Sequence, residues 1–325
     1  GHILAEDGRK MSKHLGNILE PIALMDDQGA DAVRWFMAAG GSPWASRRVG
    51  HTTITEITRK VLLTYWNTVA FQALYARTNG WTPGNAPAPE TRHVLDRWLL
   101  SATHELVRDV TNDLENFDTL AAGTRLQAFT DDLSNWYVRR SRRRFWDGES
   151  SALQTLHEVL DVVTRLMAPL VPFITERVWQ DLVVATDPAA PESVHLASWP
   201  VADSALIDPE LSREMGIARR VVELGRAARS EAKVKTRQPL RRALLASSTL
   251  SQLNAEIVNE VTSELNVGAL ESFATAGDLV DYSAKGNFRA LGKRFGKQTP
   301  VVAQAIADAD AAELAAALRA EGKAT

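Results

Sequence analysis

From Thr53 onward, apolar residues return every three or four positions through most of the first two hundred residues, and this rhythm limits the chain more than any other feature. Ile54, Ile57, Val61, Leu62, Tyr65, Val69 and Leu74 form one such stripe between Thr53 and Thr78. A period near 3.6 puts them on one helix face, which must be covered by another element. Further helices are expected over Leu95–Leu114, about Leu120–Trp146 and Ser151–Val184. The Pro- and Gly-rich run Asn79–Pro89 reads as a surface loop, and Asn116-Phe117-Asp118 as a turn. Pro169 and Pro172 each remove a backbone donor, so the fourth helix should kink or split there. Four long antiparallel helices with short loops make a bundle. A shorter helix over Gly29–Met37 should stop at Gly40-Gly41-Ser42-Pro43.

Past Trp199-Pro200 the pattern changes. A helix from Glu210 to Lys233 leads into Val234–Leu240 and Ala243–Ala246, both read as short strands. Another helix is expected over about Leu250–Leu265, and Leu279–Tyr282 reads as a further strand. The alanine-rich tail Ala303–Ala320 is helical by propensity, with Gly322 as its stop. The expected fold is therefore mainly α: a helix bundle followed by a smaller α+β domain. The expected divisions are 1–50 as a connector, 51–203 as the bundle and 204–325 as the α+β part.

Composition narrows the chemistry. The 325 residues are 45% hydrophobic and 24% charged, enough for two domains with cores. There is no cysteine, so neither a disulfide nor a thiolate zinc site can form, and a cytoplasmic location is the expectation. His157-Glu158 lacks the second histidine of a helical zinc motif, and no metal site is expected. No apolar run reaches the ~18–20 residues a membrane span needs. The net charge of −3 gives no global sign of a nucleic-acid binder, so such binding must rest on local patches.

Three patches carry chemistry. Lys10-Met11-Ser12-Lys13-His14, between Gly8 and Gly16, reads as a mobile loop able to bring two ammonium groups onto a polyphosphate. On its four letters alone, a solvated loop is the better explanation. Asn135–Trp146 carries Arg139, Arg140, Arg142, Arg143 and Arg144. On a 100° wheel Leu126, Phe129, Leu133, Trp136 and Tyr137 form the core stripe. Arg139, Arg142 and Arg143 point away from it, whereas Arg140 and Arg144 fall back toward it. So many guanidinium groups repel one another unless an anion neutralises them, and RNA backbone does so. The alternative is a solvated face paired to Asp131, Asp132 and Asp147. From Arg219 to Arg242, nine Lys and Arg stand against Glu223 and Glu231, a local +7 that includes Lys235 and Arg237.

The longer run Asp7–Pro21 resembles the signature Lys-Met-Ser-Lys-Ser loop of class I aminoacyl-tRNA synthetases, with His14 replacing the usual serine. Asn135–Trp146 is similar to a helix of isoleucyl-tRNA synthetases in their longer, eukaryote-like form. Met167–Glu176 with Val178-Trp179 resembles the kinked helix of the anticodon-binding bundle shared by the isoleucine, valine and leucine enzymes. Ser193-Val194-His195-Leu196 with Trp199-Pro200 resembles the segment closing that bundle. Lys233–Leu240 and Leu291–Lys297 are similar to C-terminal segments of the isoleucine enzymes. The family's His-x-Gly-His motif has no counterpart among the seven histidines, so the chain is expected to be the back part of a larger enzyme, inactive alone.

The resemblance implies ATP with Mg2+ in the parent enzyme, held at Lys10, Met11, Ser12 and Lys13, with Lys10 and Lys13 catalytic. It implies an isoleucine tRNA bound by Arg139, Arg142, Arg143, Arg144, Lys235 and Arg237. A monomer without zinc or membrane contact is expected. A valyl-tRNA synthetase fragment and a free-standing tRNA-binding module are the alternatives.

Overall fold

A computed structural model describes residues 2–84, 87–273 and 283–321. The chain divides into two compact units, residues 1–216 and 217–325, with the division inside one long helix.

The first unit opens with β1 (Ile3–Leu4), α1 (Pro21–Gln28), α2 (Ala30–Ala39) and β2 (Arg47–Arg48), with β1 and β2 pairing in parallel. The helical body follows. α3 (His51–Ile57) and α4 (Leu63–Thr78) are joined by a wide π-type turn at Thr58–Leu62. α5 (Val94–Glu115) and α6 (Thr119–Asp132) come next, then a second wide turn at Leu133–Val138 leading into α7 (Arg139–Trp146). α8 (Ser150–Met167) and α9 (Pro172–Trp179) complete the body.

Of the stripe between Thr53 and Thr78, Ile54, Val61, Leu62, Tyr65 and Val69 are buried and Ile57 is half-buried, whereas Leu74 is exposed. Leu126, Leu133 and Tyr137 are fully buried with Leu95, Leu99, Leu153, Leu156 and Leu160, one core shared by α5, α6 and α8. Residue shape sets the close approaches. A Cβ added to Gly123 on α6 would lie 2.1 Å from Cβ of Ala39 on α2, so the absent side chain lets these helices touch. The buried hydroxyls of Tyr65 and Thr164 share a 2.6 Å hydrogen bond across the core.

The break at Pro169 and Pro172 is held from outside the hairpin. α8 ends at Met167, and Pro172 begins α9 at a position where its missing N–H costs nothing. Two residues one turn apart on α2 satisfy the exposed backbone groups. The Asp31 carboxylate accepts from the N–H groups of Phe173 (3.3 Å) and Ile174 (2.7 Å), capping α9. Arg34 donates to the carbonyls of Pro169 (3.0 Å) and Leu170 (3.2 Å). Burial pushes the Asp31 carboxyl up, against the two backbone donors and Arg34.

In the second unit, α10 (Pro209–Glu231, begun in the first) is followed by β3 (Ala243–Ala246), α11 (Ser247–Leu250), α12 (Ala255–Leu265) and β4 (Leu270–Phe273). β3 and β4 pair in parallel, Ala243 opposite Leu270. α13 (Phe288–Phe295), α14 (Thr299–Asp308) and α15 (Ala311–Glu321) follow.

Three sequence expectations change. Val234–Leu240 is a loop rather than a strand, with a single bridge from Leu240 to Val267. The helix expected from Leu250 begins at Ala255, because the Asn254 side chain accepts from Ile257 N–H (3.0 Å) and fixes the start there. The tail is two helices, parted at Ala309-Asp310, where the Asp310 carboxylate accepts from Glu313 N–H and starts the second. The expected strand Leu279–Tyr282 and the stop at Gly322 lie outside the described residues.

Candidate nucleic-acid interface and lysine loop

The five arginines around α7 divide by environment. Arg142 and Arg143 are exposed; the Arg143 side chain is 91% accessible, with only a long 3.6 Å approach to Asp147. Arg139 is half-buried, its guanidinium 6.0 Å from the centre of the Trp136 ring and its Nε donating to the Asn135 carbonyl. Arg139 follows Trp136 by three residues, so its side chain folds back along the helix face onto that ring. Burial, then the charges of Arg140 and Arg142, push the Arg139 pKa down.

Arg144 points inward. It forms a bidentate pair with Asp96, at 2.7 and 2.5 Å, and a second with Glu149, at 2.9 and 2.6 Å. Asp96 is fully buried and also accepts from the Tyr137 hydroxyl at 2.8 Å. Burial opposes the Arg144 charge, but the hydrogen bonds it donates to Asp96 and Glu149 outweigh this and hold the guanidinium pKa up. Of the four arginines expected on RNA, Arg142 and Arg143 are presented outward, Arg139 sits beside an aromatic ring, and Arg144 serves the core. Asp96, which anchors the inner side of α7, lies 48 residues from Arg144 and left no local signal in the sequence.

Lys10 and Lys13 are both exposed, on a loop stitched by one side chain. Asn17 Oδ1 accepts from Ser12 N–H (2.8 Å), and its Nδ2 donates to the Lys10 carbonyl (3.2 Å). A single 3₁₀ turn, Lys13–Leu15, closes on Gly16 at φ 61°, a conformation suited to glycine. Met11 and Ser12 are half-buried and His14 is exposed. The two ammonium groups thus share an ordered loop open to solvent, an arrangement able to meet a polyphosphate.

In the second unit Lys235 and Arg237 are exposed on the loop after α10. Arg229, only 6% exposed, organises that loop from beneath: it donates to the carbonyls of Lys235, Gln238, Leu265 and Asn266. The basic stretch is narrower than its charge count. Arg220 pairs with Glu223, Arg226 with Glu264 and Arg242 with Glu271. Among the described residues no group of three or more His, Cys, Asp or Glu could hold a metal ion, and no helix is long and apolar enough to cross a membrane.

Residues 96–244 match the family model "Anticodon-binding domain of tRNA ligase", and residues 1–47 match "tRNA synthetases class I (I, L, M and V)". The isoleucine–tRNA ligase of Streptomyces coelicolor is 68% identical over 100% of this chain, and that of Cutibacterium acnes 62% identical over 99%. The chain spans 31% and 32% of their respective lengths. Among solved structures, the LeuRS of Agrobacterium radiobacter K84, in a ternary complex with tRNA and LeuAMS, has a similar fold. Its TM-score is 0.50 at 18% identity, over 84% of this chain and 32% of that one.

Proposed function

Given that the chain belongs to the class I isoleucyl-tRNA synthetases, as their C-terminal anticodon-binding region, we propose that α7 binds the anticodon arm of an isoleucine tRNA. The observation that carries this reading is the outward pair Arg142 and Arg143 next to a half-buried Arg139, within the residues that match the anticodon-binding model. Their guanidinium groups neutralise phosphates, and the unstacked anticodon bases accept side-chain hydrogen bonds. Lys235 and Arg237 add backbone contacts to the same tRNA. Arg144 holds α7 in place rather than touching RNA.

In the complete protein, Lys10 and Lys13 stabilise the pyrophosphate end of ATP, with its Mg2+, while the isoleucine carboxylate attacks the α-phosphate. Met11 and Ser12 shape that contact, and Asn17 keeps the loop in register. The chain by itself forms no aminoacyl-adenylate, since it carries no His-x-Gly-His motif. The parts act together in the cytoplasm, as a monomer, in charging tRNA.

Fluorescence anisotropy with an isoleucine tRNA and its anticodon-swapped counterpart, over a range of salt, tests the RNA reading. Arg142→Ala with Arg143→Ala should lower the salt slope by about 0.7–0.9 for each phosphate no longer neutralised. Unchanged affinity and slope would make α7 a solvated face. For the loop, Lys13→Ala in a full-length relative should lower the adenylation rate by ~10²–10³, the loss typical of one transition-state donor. Near wild-type pyrophosphate exchange would remove the lysine from the mechanism.

A further inference from the structure

The segment around α13 has a charge pattern that helix electrostatics does not account for. From Ser283 to Ala307 there are five cations, Lys285, Arg289, Lys293, Arg294 and Lys297, and no acid. None of the five has an acidic partner among the described residues. Lys293 and Arg294 lie in the last turn, where a cation suits the helix dipole. Lys285 and Arg289 lie before or in the first turn, where the dipole opposes them. Arg289 and Lys293 are also four apart, a like-charge pair on one face. Such an arrangement is favoured when an external anion lies across it.

The helix has no buried residue of its own and is defined by contacts at its two ends. Asn287 caps it by accepting from Ala290 N–H (3.2 Å). The Gly286 backbone lies so close to α14 that an added Cβ would come within 3.0 Å of Ala303 and 2.8 Å of Leu291. Gly296, at φ 51°, ends it. α13 leaves two aromatic rings accessible: Phe288 is 60% exposed, and Phe295 is 37% exposed with the Arg294 guanidinium 5.7 Å from its centre. Cations interleaved with accessible rings suit a polyanion that also offers flat bases. A lipid surface fits less well, since eight residues span only about 12 Å and the apolar strip is two rings with Gly292 between them.

We propose that α13 and its flanking lysines form a second RNA-contact element, holding tRNA phosphates with Arg289, Lys293 and Lys297 and an unpaired base on the Arg294–Phe295 pair. The proposal rests on tRNA being the ligand of this chain, but not on the α7 contact. Its contribution is largely independent of sequence, because phosphates carry no base identity.

The test uses the whole chain in the same anisotropy titrations. Arg289→Ala with Lys293→Ala should weaken cognate and anticodon-swapped tRNA by the same factor and lower the salt slope by about 0.7–0.9 per phosphate. Arg289→Lys with Lys293→Arg should restore the slope, with circular dichroism confirming unchanged helicity. Phe295→Ala should weaken binding at least ~5-fold without altering the slope, the signature of a missing stacking partner. If Arg142→Ala with Arg143→Ala changes the slope while the α13 pair does not, α13 is not an RNA contact and the α7 reading survives. If the unaltered chain binds no tRNA, both readings fail. Sedimentation with vesicles of phosphatidylserine and phosphatidylcholine, abolished in the α13 pair while its tRNA slope is unchanged, would instead assign the element to lipid.

Discussion

Replacing Arg144 by alanine should unfold the bundle far more readily than replacing Arg142, two positions away on the same helix. The Asp96 side chain is 0% exposed and loses its bidentate partner in the variant, keeping only the Tyr137 hydroxyl. Leaving one member of a buried pair uncompensated costs about 3–5 kcal/mol, and the surviving hydroxyl places this case at the lower end. For a unit of this size that lowers Tm by roughly 6–15 °C. Arg142→Ala removes an exposed side chain and should stay within about 0.5 kcal/mol. The assay has a built-in filter, because all nine tryptophans, Trp35 through Trp199, lie in the first unit and none in the second. Tryptophan fluorescence during urea unfolding therefore reports the bundle alone. Asp96→Asn, alone and with Arg144→Ala, closes a double-mutant cycle that isolates the pair. A cost below about 1 kcal/mol for Arg144→Ala, or a tRNA salt slope lowered as in Arg142→Ala with Tm fixed, would refute a core role for Arg144.

Three further outcomes follow from the same geometry. Phe117 sits at φ 58°, a left-handed position closing α5, with its ring 92% exposed. Phe117→Gly should raise stability by roughly 0.5–1 kcal/mol, relief of strain exceeding the added flexibility of the unfolded chain; a fall in Tm would contradict this. His157 packs edge-on to Trp81, and burial lowers its pKa against the pull of Asp161 and Glu158. The unfolded chain then binds the extra proton first, so its share of stability is present above pH 6.5 and is lost as pH falls through the window below. His157→Gln should flatten the bundle's stability profile there, and parallel profiles would exclude the effect. Asp31→Ala should cost about 1–2 kcal/mol by uncapping α9; protection of the Phe173 and Ile174 amides in hydrogen exchange, equal to the parent's, would show the cap to be idle.

The bundle was legible because its signal is local and repeated: the stripe Leu126, Phe129, Leu133, Trp136 and Tyr137 marks a face whichever helices cover it. Val234–Leu240 misled for a physical reason. Val234 and Thr236 favour strands, but Arg229 draws the Lys235 and Gln238 carbonyls inward from a distance that propensity does not register. The α7 arginines were visible as a cluster, and a regular wheel already turns Arg144 inward and Arg142 and Arg143 outward, missing only that Arg139 folds back onto Trp136. The carboxylate that claims Arg144 comes from α5, far away in the sequence. The lysine pair was evident from its letters, whereas the role of Asn17 as its stitch required coordinates.

The grip of α2 on the proline break carries a consequence for how the bundle comes to be folded. Asp31 and Arg34 reach across 135 to 143 residues to the backbone at Pro169–Ile174. Contacts of such separation close a long loop and belong to the late part of assembly. On an emerging chain α2 is made first and must wait for α8 and α9 before its two polar side chains find partners. Until then α9 has no N-terminal acceptor, and the Asp31 carboxylate remains hydrated. The corner between α8 and α9 is therefore locked by a helix made well before either, and a polypeptide starting at His51 would carry every long helix of the bundle yet lack that latch.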